Sequence, residues 1–194
     1  CVLNDLAQGV KEGLIDEEEA VAIAIVLVGA AGESTSSLVG SAIRILARDP
    51  DLQSRLRQSP ELIESYIEEV VRLETPFKGH YRAVLHQTEI AGISVPAGAK
   101  VFLLWAAANR DDTVFSNPEM IDLNRENKNE HLGFGHGIHF CIGARLARME
   151  TRIILEELLQ RTKKFSLQSE HSEKHVSSIF VRRLQCLELR MSAA

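Results

Sequence analysis

One stretch, GFGHGIHFCIG from Gly133 to Gly143, constrains this chain more than any other. Its eleven residues hold four glycines, two histidines, two phenylalanines and a single cysteine. Backbone this permissive turns tightly and leaves N–H groups free to converge on one point. The residues after it, from Ile142 to about Arg161, carry a helical apolar pattern. Leu146, Met149, Ile153, Ile154, Leu158 and Leu159 are expected on the buried side of that helix. Cys141 therefore lies just before a helix N-terminus, where amide donors and the helix dipole both favour a thiolate.

Composition narrows the setting. The chain has 194 residues, 45% of them hydrophobic, enough for one or two compact domains with a core. A net charge of −5 with mixed signs gives no nucleic-acid footprint. Three cysteines, Cys1, Cys141 and Cys186, are no disulfide framework, and an odd count fits a reduced, intracellular setting. No signal-peptide pattern, repeat or low-complexity tract is visible. The apolar run from Ala20 to Ala31 is bounded by acids and falls short of the ~20 residues a membrane span needs. It is expected to be a buried helix of a soluble protein. The chain starts at Cys1 without a methionine, and residues 1–14 read as the tail of a helix, which suggests a fragment.

Punctuation sets the remaining elements. Asp16 and Glu19 form a capping signal for a long helix that runs to about Ala47. Pro50 starts a short helix and Pro60 another, which runs to Leu73 before Thr75-Pro76 breaks it. Tyr81–Leu85 and Val101–Leu104 read as strands, with turns at Ala91-Gly92 and at Pro96–Gly98. Residues 109–133 form an irregular meander. Phe165–Leu167 and Leu184–Leu189 read as short closing strands. The expected fold class is mainly α with small β ribbons.

Three constellations carry chemistry. In the long helix, VGAAGESTSSLVG places small residues and hydroxyls where a helix gains little from either. Ala31 and Gly32 would let a large flat group lie against the backbone, or would allow close helix packing. Glu69 and Arg72, at i and i+3, share a helix face; apolar neighbours place them near its buried side rather than in a solvated ion pair. Around Cys141, a thiolate suits a soft or borderline metal, haem iron included. Other readings remain open. Ile138 occupies the third-glycine position of a dinucleotide loop. His131, His136, His139 and Cys141 match no common zinc spacing. His139 is the nearest base for a nucleophilic cysteine. An inert buried cysteine is the plainest reading.

Taken together the three stretches resemble the cytochrome P450 superfamily of haem-thiolate monooxygenases, in its soluble bacterial branch. Phe134–Gly143 matches F-x-x-G-x-x-x-C-x-G, Glu69–Arg72 matches E-x-x-R, and Ala31–Thr35 matches A/G-G-x-x-T. The resemblance implies the haem-binding, C-terminal half of one such domain over residues 1–194, within a longer protein. It implies haem b (iron protoporphyrin IX) with Cys141 as its metal ligand. Ala31, Gly32, Phe134, Gly135, Ile142, Gly143 and Ala147 would contact the haem, and Arg82 and His139 would hold its propionates. Thr35 would hydrogen-bond the bound oxygen, with Glu33 as the nearby acid. Ser34 stands where the family usually has that acid, and on a helix one position is a rotation of roughly 100 degrees. Glu69, Arg72 and Arg125 would form a buried network. Residues near Lys78–Tyr81 and Ser178–Ile179 would line a substrate pocket.

The implied activity is hydroxylation of a small, largely apolar molecule by O2 in the cytoplasm. A ferredoxin or flavodoxin with an NAD(P)H reductase would supply electrons, with no nucleic-acid or membrane partner. Two alternatives are a haem fold that recruits a partner without activating oxygen, consistent with Ser34, and an inactive fragment.

Overall fold

Helix boundaries follow the punctuation. A computed structural model describes residues 1–169 and 173–193. Helix α1 (Val2–Lys11) leads into α2 (Glu17–Arg48). Asp16 and Glu19 cap α2 reciprocally: the Asp16 carboxylate accepts the Glu19 N–H at 2.8 Å, and the Glu19 carboxylate accepts the Asp16 N–H at 3.0 Å. Pro50 opens α3 (Pro50–Gln58), with Asp49 capping the Leu52 N–H at 2.9 Å. A 3₁₀ turn over Pro60–Leu62 precedes α4 (Ile63–Glu74). Thr75 ends α4 in a left-handed conformation, φ 37°, directly before Pro76.

Antiparallel ribbons fill the rest. β1 (His80–Ala83) pairs with β4 (Lys100–Leu103), with Tyr81 opposite Phe102. Between them β2 (Thr88–Ile90) and β3 (Ile93–Val95) make a hairpin that the sequence reading took only as a turn. Ala91 and Gly92, at φ 49° and 81°, supply the two positive angles a two-residue hairpin loop needs. A short helix α5 (Trp105–Ala108) opens the meander, which holds only brief 3₁₀ turns up to α6 (Ala144–Arg161). β5 (Thr162–Leu167) then pairs with β8 (Leu189–Ala193), and β6 (Glu173–His175) with β7 (Leu184–Leu187). The architecture is mainly α with small β ribbons, as expected.

The core gathers Leu38, Ala42 and Leu46 of α2, Tyr66, Ile67, Val70 and Val71 of α4, Leu155 and Leu159 of α6, and Phe165 of β5. Buried polar groups stitch it together. The Tyr66 hydroxyl donates to the Ala42 carbonyl at 2.6 Å. The Gln53 amide donates to the carbonyls of Leu46 and Phe165 at 2.8 and 2.9 Å.

Two expectations are corrected. The apolar first half of α2 is not buried: Val21, Ile25 and Val26 are exposed, and Val28 is 78% exposed. By length and composition alone α2 could cross a membrane, yet its second half forms part of the core. Helix α6 starts at Ala144, and its buried stripe is Ala144, Thr151, Leu155 and Leu159. Leu146, Met149, Ile153 and Ile154 are exposed instead, and Leu158 is only partly buried. The helix is apolar on two sides, and residue spacing does not say which side meets α2 and α4.

Candidate functional site

Helix α4 supplies the foundation. The Glu69 and Arg72 side chains are wholly buried. Arg72 donates through Nε and Nη2 to the two Glu69 carboxylate oxygens at 2.8 and 3.0 Å. Its remaining N–H groups reach the carbonyls of Asn109, Pro118 and Met120 at 2.6–3.0 Å. Arg125 donates to Glu69 at 3.0 Å, and the Asp122 amide does so at 2.9 Å. Both guanidinium groups also lie over the Phe115 ring. Burial pushes the Glu69 carboxyl up, but hydrogen bonds from Arg72, the Asp122 amide and Arg125 hold it below its ordinary value. The expected network is thus built, and it ties the meander to α4.

The cysteine loop is mounted on this base. Gly133 passes so close to α4 that an added Cβ would lie 2.5 Å from the Val71 side chain and 3.0 Å from the Val71 carbonyl. The Leu132 N–H donates to the Asn109 side chain at 2.6 Å, and the other end of that amide reaches Thr75 at 2.9 Å. Beyond it the loop folds on itself. Gly135 and Gly137 take φ near 70°, where other residues are strained. The Cys141 N–H donates to the Phe134 carbonyl at 2.9 Å. The Cys141 side chain is left exposed one turn ahead of α6. Gly143 lies beside the sulfur, its Cβ position 3.8 Å from Sγ. Among the described residues, the N–H groups of Ile142 and Gly143 donate to no backbone carbonyl. In the same loop Ile138 and Ile142 are 97% and 91% exposed, and Phe140 is half exposed.

The sequence reading missed an ionic cluster beneath this loop. Glu68 of α4 accepts two hydrogen bonds from Arg148 of α6, at 2.6 and 2.7 Å. His131 Nε2 meets the same carboxylate at 3.1 Å. Burial opposes the Glu68 charge, yet Arg148 and His131 outweigh it and lower its pKa to about 2. The Arg148 guanidinium carbon lies over the Phe134 ring, 4.4 Å from its centroid. Only the residue types were legible beforehand, because the partners are 63 and 80 positions apart.

On α2, three hydroxyls turn inward to their own helix: Ser34 to the Ala30 carbonyl at 2.5 Å, and Ser36 and Ser37 to the Glu33 carbonyl at 3.0 and 2.7 Å. Thr35 is half-buried and its hydroxyl makes no such bond. Ala31 and Gly32 are exposed, with open space at the Gly32 Cβ position. Glu33 pairs with Arg183 at 3.1 Å. Arg82 is exposed and donates to the Tyr81 carbonyl, and His139 is exposed on the 3₁₀ turn Gly137–His139. Gly135, Gly143 and Ala147 are half-buried in and behind the loop.

The two segments expected near a substrate do meet. Lys78 donates from its backbone to the Phe180 carbonyl at 2.7 Å and from Nζ to the Ser178 carbonyl at 2.6 Å. Tyr81, Phe102 and Phe180 form one aromatic group of tilted and edge-to-face contacts, with centroids 4.7–6.0 Å apart.

The alternatives for Cys141 lose ground. Among the described residues no strand leads directly into the loop, as a dinucleotide site requires. Among the described residues no group of three or more His, Cys, Asp or Glu side chains could hold a metal ion, and His131 is committed to Glu68. Among the described residues the His139 ring makes no hydrogen bond that could activate a nucleophile. The inert reading is of a buried cysteine, and Cys141 is exposed. The donor chemistry left is one soft sulfur, followed by two amides with no backbone partner among the described residues, in a loop of uncovered apolar side chains. That set fits an iron porphyrin with a thiolate ligand.

Known proteins agree on the family. The family model for Cytochrome P450 matches residues 58–183. Cytochrome P450 144 of Mycobacterium tuberculosis is 44% identical over 188 residues, 97% of this chain and 43% of that protein. The tirandamycin C-bound P450 monooxygenase TamI superposes with a TM-score of 0.93 at 33% identity, over 98% of this chain and 48% of that one. P450BioI, solved with an acyl carrier protein bearing hexadec-9Z-enoic acid, gives a TM-score of 0.87 at 35% identity over 92% and 46%. The chain spans less than half the length of the relatives it matches.

Proposed function

The chain belongs to the cytochrome P450 family, and from that premise we propose that it is the haem-binding part of a monooxygenase that hydroxylates a small, largely apolar molecule. In this reading residues 1–194 belong to a single domain. The observation that carries it is the exposed Cys141 thiol just ahead of α6, on a loop with uncovered apolar side chains that is locked to α4. Family membership implies a haem, which we take to be haem b. When bound, it supplies a redox-active iron whose thiolate ligand favours O–O cleavage.

The chain's own residues do the rest. Cys141 provides the ligand sulfur, just ahead of the α6 N-terminus, whose dipole favours a thiolate. Ala31 and Gly32 leave room for a flat ring against α2. Phe134, Gly135, Ile142, Gly143 and Ala147 form the sulfur-side contact surface. Arg82 and His139 donate to the propionate carboxylates. Thr35, the hydroxyl its helix leaves free, holds a proton donor at Oγ1. Glu33 is the nearest carboxylate, and it must leave Arg183 to act as a proton carrier. The aromatic group of Tyr81, Phe102 and Phe180 excludes water and holds an apolar substrate, consistent with relatives solved with tirandamycin C and with an acyl chain on its carrier. Electrons arrive from a ferredoxin or flavodoxin and its NAD(P)H reductase in the cytoplasm.

Ser34 favours a second reading, haem binding and partner recruitment without oxygen activation. It stands in place of an acid, and its hydroxyl is spent on the Ala30 carbonyl. Single-turnover assays on the haem-loaded protein separate the two. The monooxygenase forms hydroxylated product with O2 plus reductant and with a surrogate oxidant. Product from neither overturns that assignment.

A further inference from the structure

We propose that Glu68 and Arg148 are positioning residues, a clamp that fixes both arms of the Cys141 loop to α4. The inference rests on the assignment of Cys141 as the haem ligand. Glu68 is not part of the Glu69–Arg72–Arg125 network; it faces the opposite partners. One carboxylate oxygen meets His131 Nε2 at 3.1 Å, and the other side of that ring, Nδ1, accepts the Gly133 N–H at 3.2 Å. This fixes the entry arm, where Gly133 has no room to move against Val71. Both carboxylate oxygens accept from Arg148, whose guanidinium lies 4.4 Å over the Phe134 ring. The Phe134 carbonyl in turn accepts the Cys141 N–H at 2.9 Å. This fixes the exit arm. Phe134 is contacted by both partners of Glu68, the Arg148 guanidinium at 4.4 Å and the His131 ring at 5.9 Å from its centroid. A bidentate arginine that also stacks on a ring has one usable orientation. The clamp therefore sets where the sulfur points.

The two arms predict an asymmetry that general destabilisation does not give. Amide hydrogen exchange, read residue by residue on the haem-loaded protein, tests it. In Arg148→Gln the Cys141 amide exchanges faster by about tenfold while Gly133 keeps its rate, because only the exit arm opens. In Glu68→Ala both amides speed up by about tenfold or more. Arg148→Lys restores charge without the fork or the stack, and it falls between wild type and Arg148→Gln. The haem-loaded variants also lose the strongly red-shifted Soret band of the reduced CO complex faster than wild type, at matched unfolding stability. An unchanged Cys141 amide in Arg148→Gln, or uniform acceleration through α4 and α6, overturns the clamp. A wild-type spectrum without the band strikes instead at the haem assignment and removes the clamp's purpose. The two failures are thus told apart by which protein shows them.

Discussion

Replacing Glu69 by Gln removes one negative charge and leaves the shape intact. The carboxylate accepts four hydrogen bonds, two from Arg72, one from Arg125 and one from the Asp122 amide. A glutamine keeps one acceptor oxygen. Its NH2 group turns toward donors, so Arg72 Nη2 and the Asp122 N–H lose their partner together. Two guanidinium groups, with side chains 0% and 3% exposed, then lack a counter-charge. Breaking a buried pair in this way costs about 3–5 kcal/mol. Carbonyl partners on both arginines retain part of that, which points to the lower end, about 3 kcal/mol. With a urea slope of about 2 kcal/mol/M, the midpoint falls by about 1.5 M. Arg152→Gln is the control. It breaks a 3.0 Å pair with Glu64 in which both side chains are well exposed, and it stays within about 0.5 kcal/mol. Urea unfolding at neutral pH followed by circular dichroism measures both. If Glu69→Gln loses less than about 1 kcal/mol, the network is not a structural lock.

Three other predictions follow from single contacts. Gly133→Ala forces a Cβ against Val71, and thermal unfolding should show a loss of about 1–3 kcal/mol. The Glu68 carboxyl has a folded pKa of about 2, lowered from the ordinary value. Its contribution is therefore full above the unfolded carboxylate value of about 4.3 and is lost as pH falls toward the folded value. After partial screening it amounts to about 2 kcal/mol, read as the difference between wild type and Glu68→Gln in urea titrations from pH 6 to about 2. Thr35→Val removes a hydroxyl with no hydrogen bond in its own helix. It should leave stability within about 0.5 kcal/mol while the haem-loaded protein consumes O2 with less product formed per O2.

Much of the fold was legible because it is written in local chemistry. Asp16 with Glu19, Pro50 and Thr75-Pro76 mark helix ends through caps and steric limits that need no tertiary context. The Glu69–Arg72 pair was legible by its spacing and its apolar neighbours, and the tight turns of the loop before Cys141 by their glycines. What escaped was set at long range. The side of α6 that is buried depends on where α2 and α4 lie, so Leu146, Met149, Ile153 and Ile154 were misread. The strands of the β2–β3 hairpin are three residues each and exposed apart from Val95, too short for alternation to register beside the Ala91-Gly92 turn. Glu68, His131 and Arg148 are unremarkable apart and meet only once the meander is folded. The exposure of Val21, Ile25, Val26 and Val28 is likewise invisible to periodicity, which marks an apolar face without saying what covers it.

Cys141 as the haem ligand is the central claim, and the absorption spectrum of the reduced protein with CO tests it most directly. The wild-type protein should show the strongly red-shifted Soret band of a thiolate-ligated haem, and Cys141→His should lose it. A wild-type protein without that band, or a Cys141→His variant that keeps it, contradicts the account.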